Sequence, residues 1–147
     1  RYTVGPGKDL QGIWPLDAEQ GYDLWVLGPN GFHRRFRGSA QAPMPVEMEI
    51  VRVADGMVLQ LRNPGPASVP VAVRGNAYPG LMPERKVSLA AGEEVRISWP
   101  AAPTGAWYDL DVQQPGARQR LAGRVENGLA GSSDPAMANA PLRFDVG

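Results

Sequence analysis

Most of the chemistry-bearing groups in this sequence fall in one short stretch, GYDLWVLGPNGFHRRFRG, residues 21–38. It holds His33, the only histidine, beside Arg34, Arg35 and Arg37. A histidine works as a general base only with a nucleophile or an orienting carboxylate at hand. Its neighbours here are Phe32 and Arg34, and adjacent guanidinium charges favour the neutral imidazole. A single histidine also excludes a histidine-rich metal site. The arginines suggest different chemistry, because their planar fork of donors fits phosphate and carboxylate oxygens. Arg34, Arg35 and Arg37 are therefore candidate contacts for an anion. Strand alternation puts Phe32, Arg34 and Phe36 on one face and His33, Arg35 and Arg37 on the other. His33 is then expected on an exposed polar face, with Arg34 a candidate for a carboxylate partner inside a loop or interface.

Other groups assemble less. Asp109 and Asp111 flank Leu110 in WYDLDV. Paired carboxylates can bind calcium or share acid/base work, but calcium needs converging loop oxygens and no acidic loop accompanies them. A solvated strand face is expected. GSSDPAM, residues 131–137, has serine and aspartate without a nucleophile elbow, and reads as a turn. No phosphate-binding glycine loop, dinucleotide fingerprint or H-E-x-x-H pair occurs. Trp25 and Trp107 stand opposite the apolar faces of their own strands, as candidate contacts for a partner domain, a lipid surface or a sugar ring. No active site assembles, and neither metal nor cofactor is expected.

The elements that position these residues follow from the bulk pattern. The chain has 147 residues, enough for one domain with its own core. Lysine plus arginine and aspartate plus glutamate each number 15, so a net charge of zero gives no global pull toward nucleic acid. The absence of cysteine excludes disulfides, thiolate nucleophiles and cysteine-ligated zinc. No apolar run reaches the roughly 18 residues of a membrane-spanning helix. The chain starts at Arg1 with neither initiator methionine nor signal peptide, and reads as a fragment or processed product.

Eighteen glycines and 15 prolines punctuate apolar runs that alternate with period two, the pattern of short strands and tight turns. Tyr22, Leu24 and Val26 form one such series, expected to face the core. Asp55-Gly56 is a hairpin signal. Pro70 suggests an edge or bulged strand, and a phase shift near Ile50-Val51 suggests a bulge. About ten strands at this spacing predict an all-β, immunoglobulin-like antiparallel β-sandwich with a C-terminal tail. A barrel is the competing architecture. Residues 1–126 form the single sandwich domain and 127–147 a tail or docking arm, in which Leu142, Phe144 and Val146 alternate as a late strand.

Several of these segments resemble one family. YDLWVLGPNGFHRRFRG, LRNPG (61–65), VRGNAY (73–78), WYDLDV (107–112) and AGRVENGLAGSSDPAM (122–137) are similar, in the same order, to the C-terminal domain of bacterial phosphocholine-preferring phospholipases C. Gly131 departs from it, standing where the family pattern has serine. The resemblance implies a hydrolytic site in a separate N-terminal domain similar to the alkaline phosphatase superfamily, with the metal ligands and nucleophile there. This chain is then expected to be a non-catalytic accessory domain of a secreted or periplasmic phospholipase C. Its partners would be that catalytic domain and a phospholipid surface, with Arg34, Arg35 and Arg37 then candidate contacts for a lipid headgroup. The alternative is a stand-alone ligand-binding sandwich, such as a carbohydrate-binding module using its tryptophans.

Overall fold

The computed structural model describes residues 3–17, 19–42, 46–54, 56–126, 128 and 130–136. Among them are nine strands: β1 (Gly21–Leu27), β2 (His33–Ser39), β3 (Glu47–Val53), β4 (Gly56–Arg62), β5 (Val69–Gly75), β6 (Arg85–Leu89), β7 (Glu94–Pro100), β8 (Trp107–Gln114) and β9 (Ala117–Arg124). A 3-10 turn spans Ala102–Thr104. A six-stranded sheet in the order β1-β2-β9-β8-β5-β6 packs against a three-stranded sheet, β3-β4-β7. Every pairing is antiparallel. The chain is thus an all-β sandwich of the expected class.

The core follows the period-two pattern. Met57, Leu59 and Leu61 on β4 and Ile97 and Trp99 on β7 meet Val69, Val71 and Val73 on β5. Tyr108, Leu110 and Val112 on β8 and Leu121 on β9 complete the layer, with Val46, Met82 and Leu89 closing its ends. Side chains two apart share a face of a strand, so each alternating run drives one flank into this layer.

The sheets differ in width, and that overturns one expectation. No residue of β1 or β2 belongs to the core cluster. Tyr22 and Leu24 are only half-buried, and Val26 is 48% exposed. Alternation identified the correct face, but the smaller sheet does not extend over it. Two local readings also change. β3 pairs with β4 without interruption from Glu47↔Arg62 to Val53↔Gly56, so there is no bulge at Ile50-Val51. The hairpin expected there forms, although Asp55 lies outside the described residues. β5 is an internal strand, not an edge. Its ladder with β8 begins at Ala72, leaving Pro70 beyond the point where a second neighbour would require its missing amide hydrogen. The late strand at Leu142, Phe144 and Val146 falls outside the described residues.

The turn in the opening stretch is built as its residues require. Gly28 donates its amide to the Phe32 carbonyl at 2.9 Å, and Phe32 donates to Pro29 at 3.1 Å. Asn30 and Gly31 take φ values of 54° and 71°, a region that asparagine and glycine tolerate best. A Cβ on Gly31 would also lie 2.7 Å from the Trp107 ring.

Asn63 ties the corner where the chain leaves β4. It is 2% exposed. Its amide donates to the carbonyls of Ala67, Leu89 and Ala90 at 2.8, 3.1 and 3.0 Å, and its Oδ1 accepts from Gly65 at 2.9 Å. Asn63→Ala removes the partner of all four groups, of which the Leu89 carbonyl is bonded in a buried setting. It is expected to cost about 2 kcal/mol, read as a lower urea midpoint with an unchanged slope.

Candidate functional site

The outer face of the six-stranded sheet carries a lattice of arginines and aspartates. Alternation brings Asp23 of β1, Arg35 and Arg37 of β2, Arg118 and Arg120 of β9, Asp109 and Asp111 of β8, and Arg74 of β5 to this one face. The register sets Arg35 opposite Arg120 and Arg37 opposite Arg118. Like charges directly across a ladder repel, so both rows need compensation from their flanks.

The aspartates supply it. Arg35 grips Asp23 with Nε and Nη2 at 2.7 and 2.5 Å. Arg37 reaches the same carboxylate only at 3.4 Å. Arg120 holds Asp109 through Nε and Nη2 at 2.8 and 2.7 Å, and Asn76 donates to that carboxylate at 3.2 Å. Arg118 grips Asp111 through the same two nitrogens, and Arg74 adds two donors to its Oδ2 at 3.2 and 3.0 Å. Asp111 is fully buried and Asp109 nearly so. The solvated face expected for these two is corrected: they form a carboxylate floor beneath half-exposed guanidiniums. Burial pushes Asp111 upward, but the hydrogen bonds from Arg118 and Arg74 outweigh it and hold the carboxyl below its ordinary 3.8. Asp23 is lowered too, chiefly by Arg35.

Five guanidiniums against three carboxylates leave this face two positive charges in surplus. Arg35, Arg37, Asn76, Arg118 and Arg120 line a cleft of ≈ 340 Å³ on it. Among the described residues, no group of three or more His, Cys, Asp or Glu side chains is placed to hold a metal ion.

The residues singled out from sequence divide between two faces. Arg35 and Arg37 join the cleft. Arg34 lies on the inner face, where it donates to the carbonyls of His33 and Ala122 and to the Tyr108 hydroxyl, each at 2.9 Å. Its guanidinium sits 4.3 Å over the Phe32 ring, so backbone carbonyls, a phenol and a ring take the place of the carboxylate partner. His33 is half-buried rather than exposed. Its ring stacks on Trp25 at 5.0 Å, and burial, then Arg120, lowers its pKa below 6.5, keeping it neutral at pH 7.

Trp25 remains 53% exposed, with Arg35 lying 4.3 Å over its ring. Trp107 is half-buried and donates to the Ser132 carbonyl at 3.0 Å, which ties residues 130–136 back to β8. Tyr78 donates to Asp134 in the same segment. Burial, then Asp134, pushes the Tyr78 phenol up to about 12. A Cβ on Gly131 would lie 2.0 Å from the Arg124 guanidinium, the movable end of a long side chain.

Sequence reading missed Arg74, Asn76, Arg118 and Arg120. A signal existed. ARQR on β9 repeats the two-residue arginine spacing of RFR on β2, and Asp109-Leu110-Asp111 shares that period. What was lacking was the pairing of β2 with β9.

Fold and site together define a class: a β-sandwich module with one charged sheet face and one open apolar flank. The chain belongs to the family of the bacterial phospholipase C C-terminal domain, whose family model matches residues 1–39 and 41–124. It is 36% identical over 98% of its length to a non-hemolytic phospholipase C of Pseudomonas aeruginosa, and 38% identical over 95% to one of Burkholderia pseudomallei. A hemolytic phospholipase C of Pseudomonas aeruginosa is 33% identical over 82% of the chain. The chain spans 22%, 21% and 18% of the lengths of these three relatives.

Proposed function

We propose that this chain is a non-catalytic accessory domain of a secreted or periplasmic phospholipase C, packing against the catalytic portion of the same polypeptide. The observation that carries this reading is the uncovered apolar flank. Val26 is 48% exposed, and Phe36, Met48 and Leu121 contribute to an inner-face groove of ≈ 490 Å³ beside Arg34. Ile13 and Trp14 in the preceding segment are 99% and 51% exposed. Exposed large apolar side chains of this kind, gathered near a groove, are what an interaction site presents. The relatives' remaining length supplies the occupant.

The test mixes this chain with the separately produced remainder of a phospholipase C that carries it, followed by sedimentation velocity. Co-sedimentation is expected, with loss on Val26→Glu, a surface change that leaves the chain folded. Absence of association, together with unchanged activity and stability of the remainder alone, refutes the reading. Presentation of a lipid surface belongs to the same proposal, with Trp25 as its open aromatic contact. Vesicle binding that disappears in Trp25→Ala supports that part. The alternative, a stand-alone carbohydrate-binding module, requires saturable binding on a glycan array.

A further inference from the structure

We propose that the outer-face cleft lined by Arg35, Arg37, Asn76, Arg118 and Arg120 is a binding site for a phosphate monoester or inorganic phosphate dianion. The site is separate from the apolar flank, so it stands or falls independently of the docking reading.

Three observations support it. First, the aspartates orient the guanidiniums without using them up. Arg35, Arg118 and Arg120 each turn Nε and Nη2 toward a carboxylate, and the Nη1 group of each has no hydrogen-bond partner among the described residues. A pinned guanidinium keeps further donors in a fixed fork, so little side-chain freedom is lost when an oxyanion arrives.

Second, the ladder register collects these donors. Arg35 faces Arg120 and Arg37 faces Arg118 on neighbouring strands. Directly opposed Cβ atoms stand about 4.5–5.5 Å apart, and the side chains of all four arginines line one cleft. Third, the charge matches. The face holds a surplus of two positive charges, and Arg35 and Arg120 act repulsively on Arg118. A dianion in the cleft relieves that repulsion. A carboxylate would fill one fork and neutralise half the surplus; a phosphate monoester can engage several forks through three oxygens.

The experiment is calorimetric titration of this chain with inorganic phosphate at pH 8 and 150 mM sodium chloride. Saturable binding is expected. Arg37→Gln should weaken it about tenfold, the loss of one charged hydrogen bond. Arg37 is the safest residue to replace, because Arg35 still holds Asp23. Arg96→Gln, an exposed change on the other sheet, should leave binding unchanged. A flat titration overturns the proposal. So does binding that Arg37→Gln leaves intact, or that Arg96→Gln weakens equally. A second arm identifies the source of the phosphate. Sedimentation with phosphatidylcholine vesicles containing phosphatidic acid, lost in Arg37→Gln, assigns the site to a lipid headgroup. Phosphate binding without such sedimentation assigns it to a soluble phosphate ester.

Discussion

Replacing Arg74 and Arg118 together by alanine is expected to destabilise the domain by about 3–5 kcal/mol, and to lower its thermal midpoint by roughly 10 °C or more. The reason lies in Asp111, whose side chain is fully buried on the sheet while both arginines are about half-exposed. Removing one arginine leaves the carboxylate with the other. Removing both leaves a carboxylate deep in the sheet with no ion partner, and the desolvation cost that the arginines offset appears. The single variants should therefore cost much less than half of the double variant. Additive losses in calorimetry would show that water reaches Asp111 and would refute the buried floor.

The same group sets a pH dependence. Asp111 has its folded pKa depressed below 3.8. Its contribution is therefore fully present above the unfolded value and is lost as pH falls through the folded one. Acid unfolding of the native chain should include this loss below about pH 4. Asp111→Asn should flatten that part of the stability profile. An unchanged profile would mean that Asp111 titrates normally.

Leu59→Ala is expected to cost about 3–4 kcal/mol. Leu59 is fully buried on the central strand of the smaller sheet, where it pairs with Ile50 on one side and Ile97 on the other. The substitution removes the methyl groups' transfer energy and leaves a cavity that two flanking strands prevent from collapsing. Urea unfolding should show a lower midpoint at unchanged slope. Val26→Ala is the contrasting case: the same class of change on the exposed overhang should stay within about 0.5 kcal/mol. A large effect at Val26 in the isolated chain would mean that the β1 flank is covered after all.

Much of the fold was legible because its signals are local. Strand existence, the Gly28-Pro29-Asn30-Gly31 turn and the division of each strand into two faces follow from side-chain period and turn chemistry. The bulge inferred at Ile50-Val51 shows the limit. Val51 is half-buried because it sits opposite Val58 on the outer face of the smaller sheet, so a second apolar face imitated a change of phase. The site was legible only in part. Arg35 and Arg37 were found as a dense local cluster. Arg118 and Arg120 lie more than 80 residues further on and carry no local sign of sharing the cleft.

The class of the domain, its family through the ordered motifs, and the side chains that share each strand face can all be read from the order of residues alone. Those depend on period two and on short segments read in order. Which strands are neighbours, and how far one sheet covers the other, emerge only once the chain is folded. Those two facts arise from long-range pairing and the unequal widths of the sheets. They turned Asp109 and Asp111 from a solvated pair into the buried floor of an arginine cleft. They also moved Arg34 away from that cleft and left Val26 uncovered on a face that alternation had assigned to the core.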